Sequence, residues 1–402
     1  MIEFVRQKIV RTLLMFSLIF IFTLCTDDPT SIGDKLIPDD DKIKVKTLDS
    51  FTDNFGQSFS TFQKDSLYYG TSRRILLGNY ENLSIEMLLG FGIILPDSIA
   101  TQLEANEVSL TNSWIEMKPN YWIGDSTQLS FSVHRIFESW SSVEFDDDTL
   151  SAIKSSMSGD VLLQNSYEFT DSVITIQIDP TIVNDWVMSL IDETIPENNG
   201  ILFSPISQGG IVGFEGLNAF PLNEYVTLKM IFEKTSGLSI DTIGAIPNID
   251  IHTVSSTLPI DPIGSSILQS SSSVRGNLKF DVSKVPADAI INSATLELFI
   301  DEANTTQGTS RTDTVAISYY ELNDGKLEAN EDYGLVPLFD RENSYSGDLR
   351  IFVQRWVNGE PNEGMKVMLS DENRSASTIA FYNTDPADSL SPRLTIHYTT
   401  QE

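Results

Sequence analysis

The sequence predicts a mainly β protein made of two tandem antiparallel β-sandwich modules of jelly-roll-like form, and three observations predict it. Short runs that alternate polar and apolar at period two recur from residues 42–49 to residues 394–398, with Gly, Asn, Asp and Ser between them. Helical periods are scarce, with residues 181–191 and 349–357 the better candidates. The order of runs in the first half returns in the second, as in a repeat of one module.

The chain opens on an export segment. Arg6, Lys8 and Arg11 stand against a single Glu3, and residues 13–25 (LLMFSLIFIFTLC) then run without a charge to Cys25, the only cysteine. A basic start followed by a short apolar run is the pattern of a bacterial export signal. As a helix this run rises only about 20 Å, short of the roughly 30 Å hydrocarbon core, so a permanent span is the weaker reading. Phe22-Thr23-Leu24-Cys25 resembles a lipobox, with Leu24 where that pattern prefers Gly, Ala or Ser. Residues 1–24 are therefore expected to be a lipoprotein signal peptide, with Cys25 lipidated. A cleaved secretory signal and an uncleaved anchor are the alternatives. Residues 25–41 hold Asp27, Asp28, Asp34, Asp39, Asp40 and Asp41 with Pro29 and Pro38, an acidic and extended tether.

The first module is expected over residues 42–234, with strands at 42–49, 75–77, 87–91, 107–110, 129–133, 173–178 and 226–232. Residues 235–250 (TSGLSIDTIGAIPNID) are rich in Gly, Ser, Thr and Pro without a large aromatic ring, and form the expected linker. The second module follows over 251–402, with strands at 296–300, 315–319, 365–369 and 394–398. The halves correspond in order. Leu88-Leu89-Gly90-Phe91 leads past Pro96 to the strand at 107–110, as Asn277-Leu278-Lys279-Phe280 leads past Pro286 to the strand at 293–298. Trp186 precedes Gly200-Ile201 and a closing strand, as Trp356 precedes Gly364-Met365 and another. Both tryptophans are expected as core anchors.

Residues 278–300 (LKFDVSKVPADAIINSATLELFI), with SPRLTIHY at 391–398, resemble DNRLRE-type domains, β-sandwich modules grouped with family 96 carbohydrate-binding modules. In the first half Gly92 stands where the second has Asp281, and its closing strand lacks the Pro392-Arg393 pair. Residues 31–49 (SIGDKLIPDDDKIKVKTLD) resemble the mature start of Bacteroidota-like surface lipoproteins, in which acidic residues soon after the lipidated cysteine favour transfer to the outer face. The resemblances imply an exported outer-membrane lipoprotein exposed at the cell surface, attached to the membrane by its lipid alone, with carbohydrate as the ligand class.

Composition narrows the rest. Hydrophobic residues at 41% and aromatics at 10% are those of a folded chain. With no cysteine after Cys25, disulfides, thiolate metal sites and a cysteine nucleophile are excluded from the body. A net charge of −31 repels nucleic acid, so no nucleic-acid partner is expected. His134, His252 and His397 lie far apart without a second ligand at metal spacing, no Gly-x-Ser-x-Gly elbow accompanies a histidine, and no Gly-rich phosphate loop is present. Glycoside hydrolysis needs two carboxylates several ångströms apart. With 57 acidic residues such pairs are too easily proposed, so a non-enzymatic protein is expected and a glycan-active hydrolase ranks last. Asp146-Asp147-Asp148 is the run that offers oxygens to calcium. Its spacing is not that of an EF-hand, and a solvated acidic loop is the stronger expectation. No cofactor is expected otherwise.

The segment Trp114-Ile115-Glu116-Met117-Lys118-Pro119-Asn120-Tyr121-Trp122 is the candidate binding surface, because flat rings beside polar groups suit the CH face and hydroxyls of a pyranose. Trp140 and Arg135 could border it. A basic patch for acidic polysaccharide could form from Arg73, Arg74, Arg275 and Lys279, the last two sharing a strand face with Asn277. The leading expectation is non-catalytic binding of a polysaccharide, with docking of a surface protein by a structural or adhesion component as the rival.

Overall fold

The computed structural model describes residues 44–400 except 64–66, 126–128, 158–162, 168–172, 220–225, 236–238, 313, 325 and 384–388. The expected signal peptide, Cys25 and the tether lie outside the described residues. The fold is mainly β, as expected, in two antiparallel sheets that each wrap a hydrophobic core.

The strands in chain order are β1 (Lys46–Asp49), β2 (Gln57–Gln63), β3 (Arg74–Tyr80), β4 (Leu83–Gly92), β5 (Val108–Met117), β6 (Pro119–Gly124), β7 (Leu129–Arg135), β8 (Leu163–Tyr167), β9 (Ile174–Ile178), β10 (Ile201–Pro205), β11 (Gly210–Glu215), β12 (Thr227–Lys234) and β13 (Ser239–Ser256). The second half adds β14 (Ser265–Gln269), β15 (Val274–Phe280), β16 (Ile290–Phe299), β17 (Thr314–Asn323), β18 (Lys326–Ala329), β19 (Leu335–Asp340), β20 (Ser344–Asp348), β21 (Met365–Leu369), β22 (Thr378–Tyr382) and β23 (Arg393–Thr399). Among the described residues four α-helices interrupt them: α1 (Asp97–Glu104), α2 (Asp147–Ser156), α3 (Pro180–Met188) and α4 (Arg350–Val357). The last two are the helices that period 3.6 predicts. Proline at the first turn and Asp179 accepting from the Thr181 amide (2.9 Å) start α3.

In the first sheet β9, β5, β12 and the first half of β13 form one layer. The other layer holds the second half of β13, then β4, β3, β11 and β6, with β10, β7 and β8 joined to the far edge of β4. Ile115, Met117, Leu228 and Met230 from one layer meet Leu77, Leu89, Val133 and Phe203 from the other in one core that encloses Trp186. The second sheet repeats this pattern. β20, β16, β23 and β1 form one layer, and β19, β17, β21, β15, β14 and β22 the other, with β2 on β15. Leu296, Leu394 and Ile396 meet Leu278, Ile317 and Val367 around Trp356.

Equivalent strands pair with equivalent strands, and the turn chemistry repeats as well. The Asn198 side chain donates to the Phe91 carbonyl (2.9 Å) and accepts from the Gly200 amide (2.9 Å); Asn362 does the same to Phe280 (2.7 Å) and Gly364 (3.1 Å). Both glycines sit at positive φ, +85° and +87°, and a Cβ there would meet the Leu89 carbonyl at 2.0 Å or the Leu278 carbonyl at 2.8 Å.

Two expectations are corrected. Residues 239–250 of the expected linker belong to β13, an 18-residue strand that pairs with β12 through its first half and with β4 through its second. Its Gly, Ser and Pro content suits a strand that bends between layers, with a bulge between Pro247 and Ile249. The boundary at residue 42 also moves: β1 and β2 pair with β23 and β15 of the second module, so the N-terminal strands complete the C-terminal sheet. Alternation predicts that residues 46–49 are a strand, but not which edge it joins.

Candidate functional site

The predicted aromatic segment does not converge. β5 ends at Met117 and β6 starts at Pro119, yet β5 pairs with β12 and β9 while β6 pairs with β11 in the opposite layer. Trp114 and Tyr121 therefore leave the chain on different sides of the module.

Tyr121 is fully buried between the modules, where its hydroxyl accepts from the Ala376 amide (2.9 Å) and lies 3.3 Å from Ser375 Oγ. Burial raises its pKa above the ordinary phenol value. Trp122 keeps a partly exposed ring, but its amide and carbonyl are tied to Thr309 (3.1 and 2.9 Å). Trp140 donates its indole N–H to the Asn199 carbonyl (2.9 Å), meets Phe145 edge-on and packs over the α2 side of the module. Arg135 is buried, paired with Asp185 (3.0 Å) and stacked on Phe137.

The basic patch is dispersed in the same way. The Arg74 guanidinium enters the interface between modules, bonding Asn120 Oδ1 (3.0 Å), the Arg374 carbonyl (2.9 Å) and Ser310 (3.3 Å) above the Tyr121 ring. Burial lowers its pKa from the ordinary value. Arg275 shares a strand face with Asn277 and Lys279 as expected, but it is buried in a bidentate pair with Glu372 (2.7 and 2.6 Å). Arg73 and Lys279 are exposed on different modules. Asp146 is no calcium loop: it caps α2, accepting from the Thr149 amide (2.8 Å) and hydroxyl (2.6 Å), and Asp147 and Asp148 form the helix's first turn. The Thr149 bonds hold its carboxyl below the usual range. Among the described residues no group of His, Cys, Asp and Glu is placed to hold a metal.

Trp114 is different. Its neighbours Ser113 and Ile115 are fully buried, so by alternation Trp114 stands on the outer face of the β9-β5-β12-β13 layer, half-buried. Register places Gln177, Trp114, Lys229 and Gly244 side by side across the four strands, and Thr175, Glu116 and Thr227 form the row beside them. The row spans about 14 Å at the usual strand spacing. The indole N–H donates to Glu116 Oε1 (2.8 Å), two residues along the same strand, which fixes the ring plane. Gly244 adds no side chain at the end of the row, and Lys229 lies across it, with its ammonium 3.8 Å from where a Cβ would stand. One flat ring thus lies among a carboxylate, an amide and an ammonium on an open sheet face. Of the predicted site residues only Trp114 belongs here. Gln177, Lys229 and Gly244 escape sequence reading because they come from strands 63 to 130 residues away, and only cross-strand register joins them.

No family model matches the chain, and no curated protein does. Among solved structures, similarity is found to the structure of the Macrobrachium rosenbergii nodavirus, at 11% identity over 89% of this chain and 90% of that one, with a TM-score of 0.16. It is also found to the C-terminal domain of the Streptococcus agalactiae AgI/II polypeptide BspA, at 8% identity over 86% and 92%, with a TM-score of 0.15.

Proposed function

We propose that the protein is a non-catalytic carbohydrate-binding protein of the cell surface, exported and held to the outer membrane by a lipid on Cys25, with the Trp114 face as its glycan platform. The observation that carries the reading is the half-buried indole, pinned by Glu116 within a four-stranded sheet face. A pyranose would lay its CH face on the ring, while Lys229 and Gln177 donate to its hydroxyls and Glu116 accepts. The ring is held before the ligand arrives, so little conformational freedom is lost on binding.

A glycan array and polysaccharide pull-down with the mature chain test this. Trp114→Ala should weaken binding at least tenfold, and Trp122→Ala should leave it unchanged. Absence of binding to any polysaccharide, or binding indifferent to Trp114→Ala, overturns the reading. Protease or antibody labelling of intact cells tests the location, which fails if the protein is protected until the membrane is broken.

A second reading, docking of a surface protein partner, is favoured by the loop between β13 and β14, where Leu258, Ile260 and Ile263 are 51%, 91% and 106% exposed. Under it, Ile260→Ser with Ile263→Ser abolishes adhesion and Trp114→Ala does not.

A further inference from the structure

Each repeat is preceded by a leading segment, residues 46–63 before the β3-β4 hairpin and β13 before the β14-β15 hairpin. The two are exchanged. β13 completes the first module by pairing with β12 and β4, and β1 with β2 completes the second by pairing with the equivalent strands, β23 and β15. What β13 does with one bulged strand, the N-terminal segment does with two strands and the turn at residues 50–56.

The contacts of that segment are those of a fitted insert. Phe55 and Phe59 are 3% and 7% exposed in the second core, and Leu48 packs against it. Asp49 accepts from Arg393 (2.7 Å) and Thr395 (3.0 Å), Thr47 meets His397 (2.8 Å), and Lys284 reaches over the turn to the Asn54 carbonyl (2.9 Å) and the Asp53 carbonyl. The partners of the segment lie between Ser256 and Thr400, most of them on β15 and β23, whereas the segment's covalent continuation is β3 of the other module. Nothing in these contacts depends on the peptide linkage that delivers the segment.

We propose that the second module is an acceptor site for a strand-turn-strand peptide with aromatic residues at two inward positions, one at the end of the turn and one on the second strand, and a carboxylate bonded to Arg393, and that residues 46–63 are the donor that fills it. Pairing by main-chain hydrogen bonds supplies affinity, and the Phe55 and Phe59 pockets supply selectivity.

The test uses the full chain with a specific protease site placed between Gln63 and Leu67, together with a labelled synthetic peptide of residues 44–63. After cleavage the donor should stay with the body through gel filtration. Once the donor is stripped in denaturant and the body returned to buffer, the labelled peptide should take its place, at least tenfold better than one carrying Phe55→Ser and Phe59→Ser. Release of the donor from a body that stays folded overturns the proposal. So does equal uptake of the two peptides, or a body that takes up neither.

Discussion

The two modules present equivalent outer rows, and the contrast between them bears on the proposed binding face. In the first the row is Gln177, Trp114, Lys229 and Gly244; in the second the matching places hold Asp348, Thr295, Thr395 and Asp49. The second row is self-satisfied: Asp49 is bonded by Arg393 and Thr395, and Asp348 accepts from the Ala294 amide (3.1 Å) and the Arg350 amide (2.9 Å). Where the second module uses its face to clamp a strand, the first leaves a ring and an ammonium facing outward.

The interior faces of the exchanged segments differ as sharply. Asp250 stands opposite Leu89 where Phe59 stands opposite the equivalent Leu278. Asp250 accepts from the Leu217 amide (2.8 Å), and burial pushes its pKa up to about 6. Two residues on, His252 is fully buried against Tyr69 without a hydrogen-bond partner on either ring nitrogen, and burial pushes its pKa down to about 3. The first module thus holds two buried titratable groups at places where the second has Phe59 and Thr61.

The largest expected effect of breaking this contrast is Phe59→Ala, which leaves a cavity in the second core and should cost about 3–5 kcal/mol in denaturant unfolding, with the second module losing protection from hydrogen exchange first. Asp250→Asn should act in the opposite direction. The folded carboxyl holds its proton more tightly than the unfolded one, so its contribution is best below pH 4 and is lost as pH rises to about 6. The amide stays neutral throughout, so the variant should gain about 2–3 kcal/mol over the parent at pH 7 and nothing at pH 3.5, measured by urea unfolding at both. His252→Gln tests the other sign: neutral imidazole stability is present above pH 6.5 and lost as pH falls towards 3, so the variant should flatten the acid limb of the stability profile.

Smaller still, Asp49→Ala should cost about 1–2 kcal/mol, since Arg393 is partly exposed and solvent screens the pair. Burial raises the Asp49 pKa, but the bonds from Arg393, Thr52 and Thr395 outweigh it and leave the carboxyl below its ordinary value, so this stability fades in acid. Trp114→Ala should change unfolding by less than about 1 kcal/mol, because the ring is only half-buried, while removing binding.

Much of the architecture was legible because alternation survives in the strands that face one core. β9, β12 and β23 alternate buried and open positions along their length, and α3 and α4 fall where an apolar stripe surrounds Trp186 and Trp356. The repeat was legible through Leu88 to Phe91 and its counterpart Asn277 to Phe280, because each lies against an equivalent turn glycine, Gly200 or Gly364. The destination of β1 and β2 was hidden, since a period of two specifies a face and not a partner. The site was legible only at Trp114. Tyr121, Arg74 and Arg275 carry the same residue types as a binding patch, but Tyr121 and Arg74 fill an interface between modules and Arg275 is paired with Glu372 inside its own module, and composition does not distinguish a surface that meets ligand from one that meets the rest of the chain.

The exchange of leading segments also sets a timetable. Thr47 and His397 touch across 350 residues, so the second core cannot close until nearly the whole chain is available. A polypeptide made from its N-terminus produces Phe55 and Phe59 long before the strands that shelter them, while β13 follows β12 directly and lets the first module close early. Among the described residues, 46–63 therefore wait longest with apolar side chains uncovered, and they are the part that a chaperone holding the growing chain would guard.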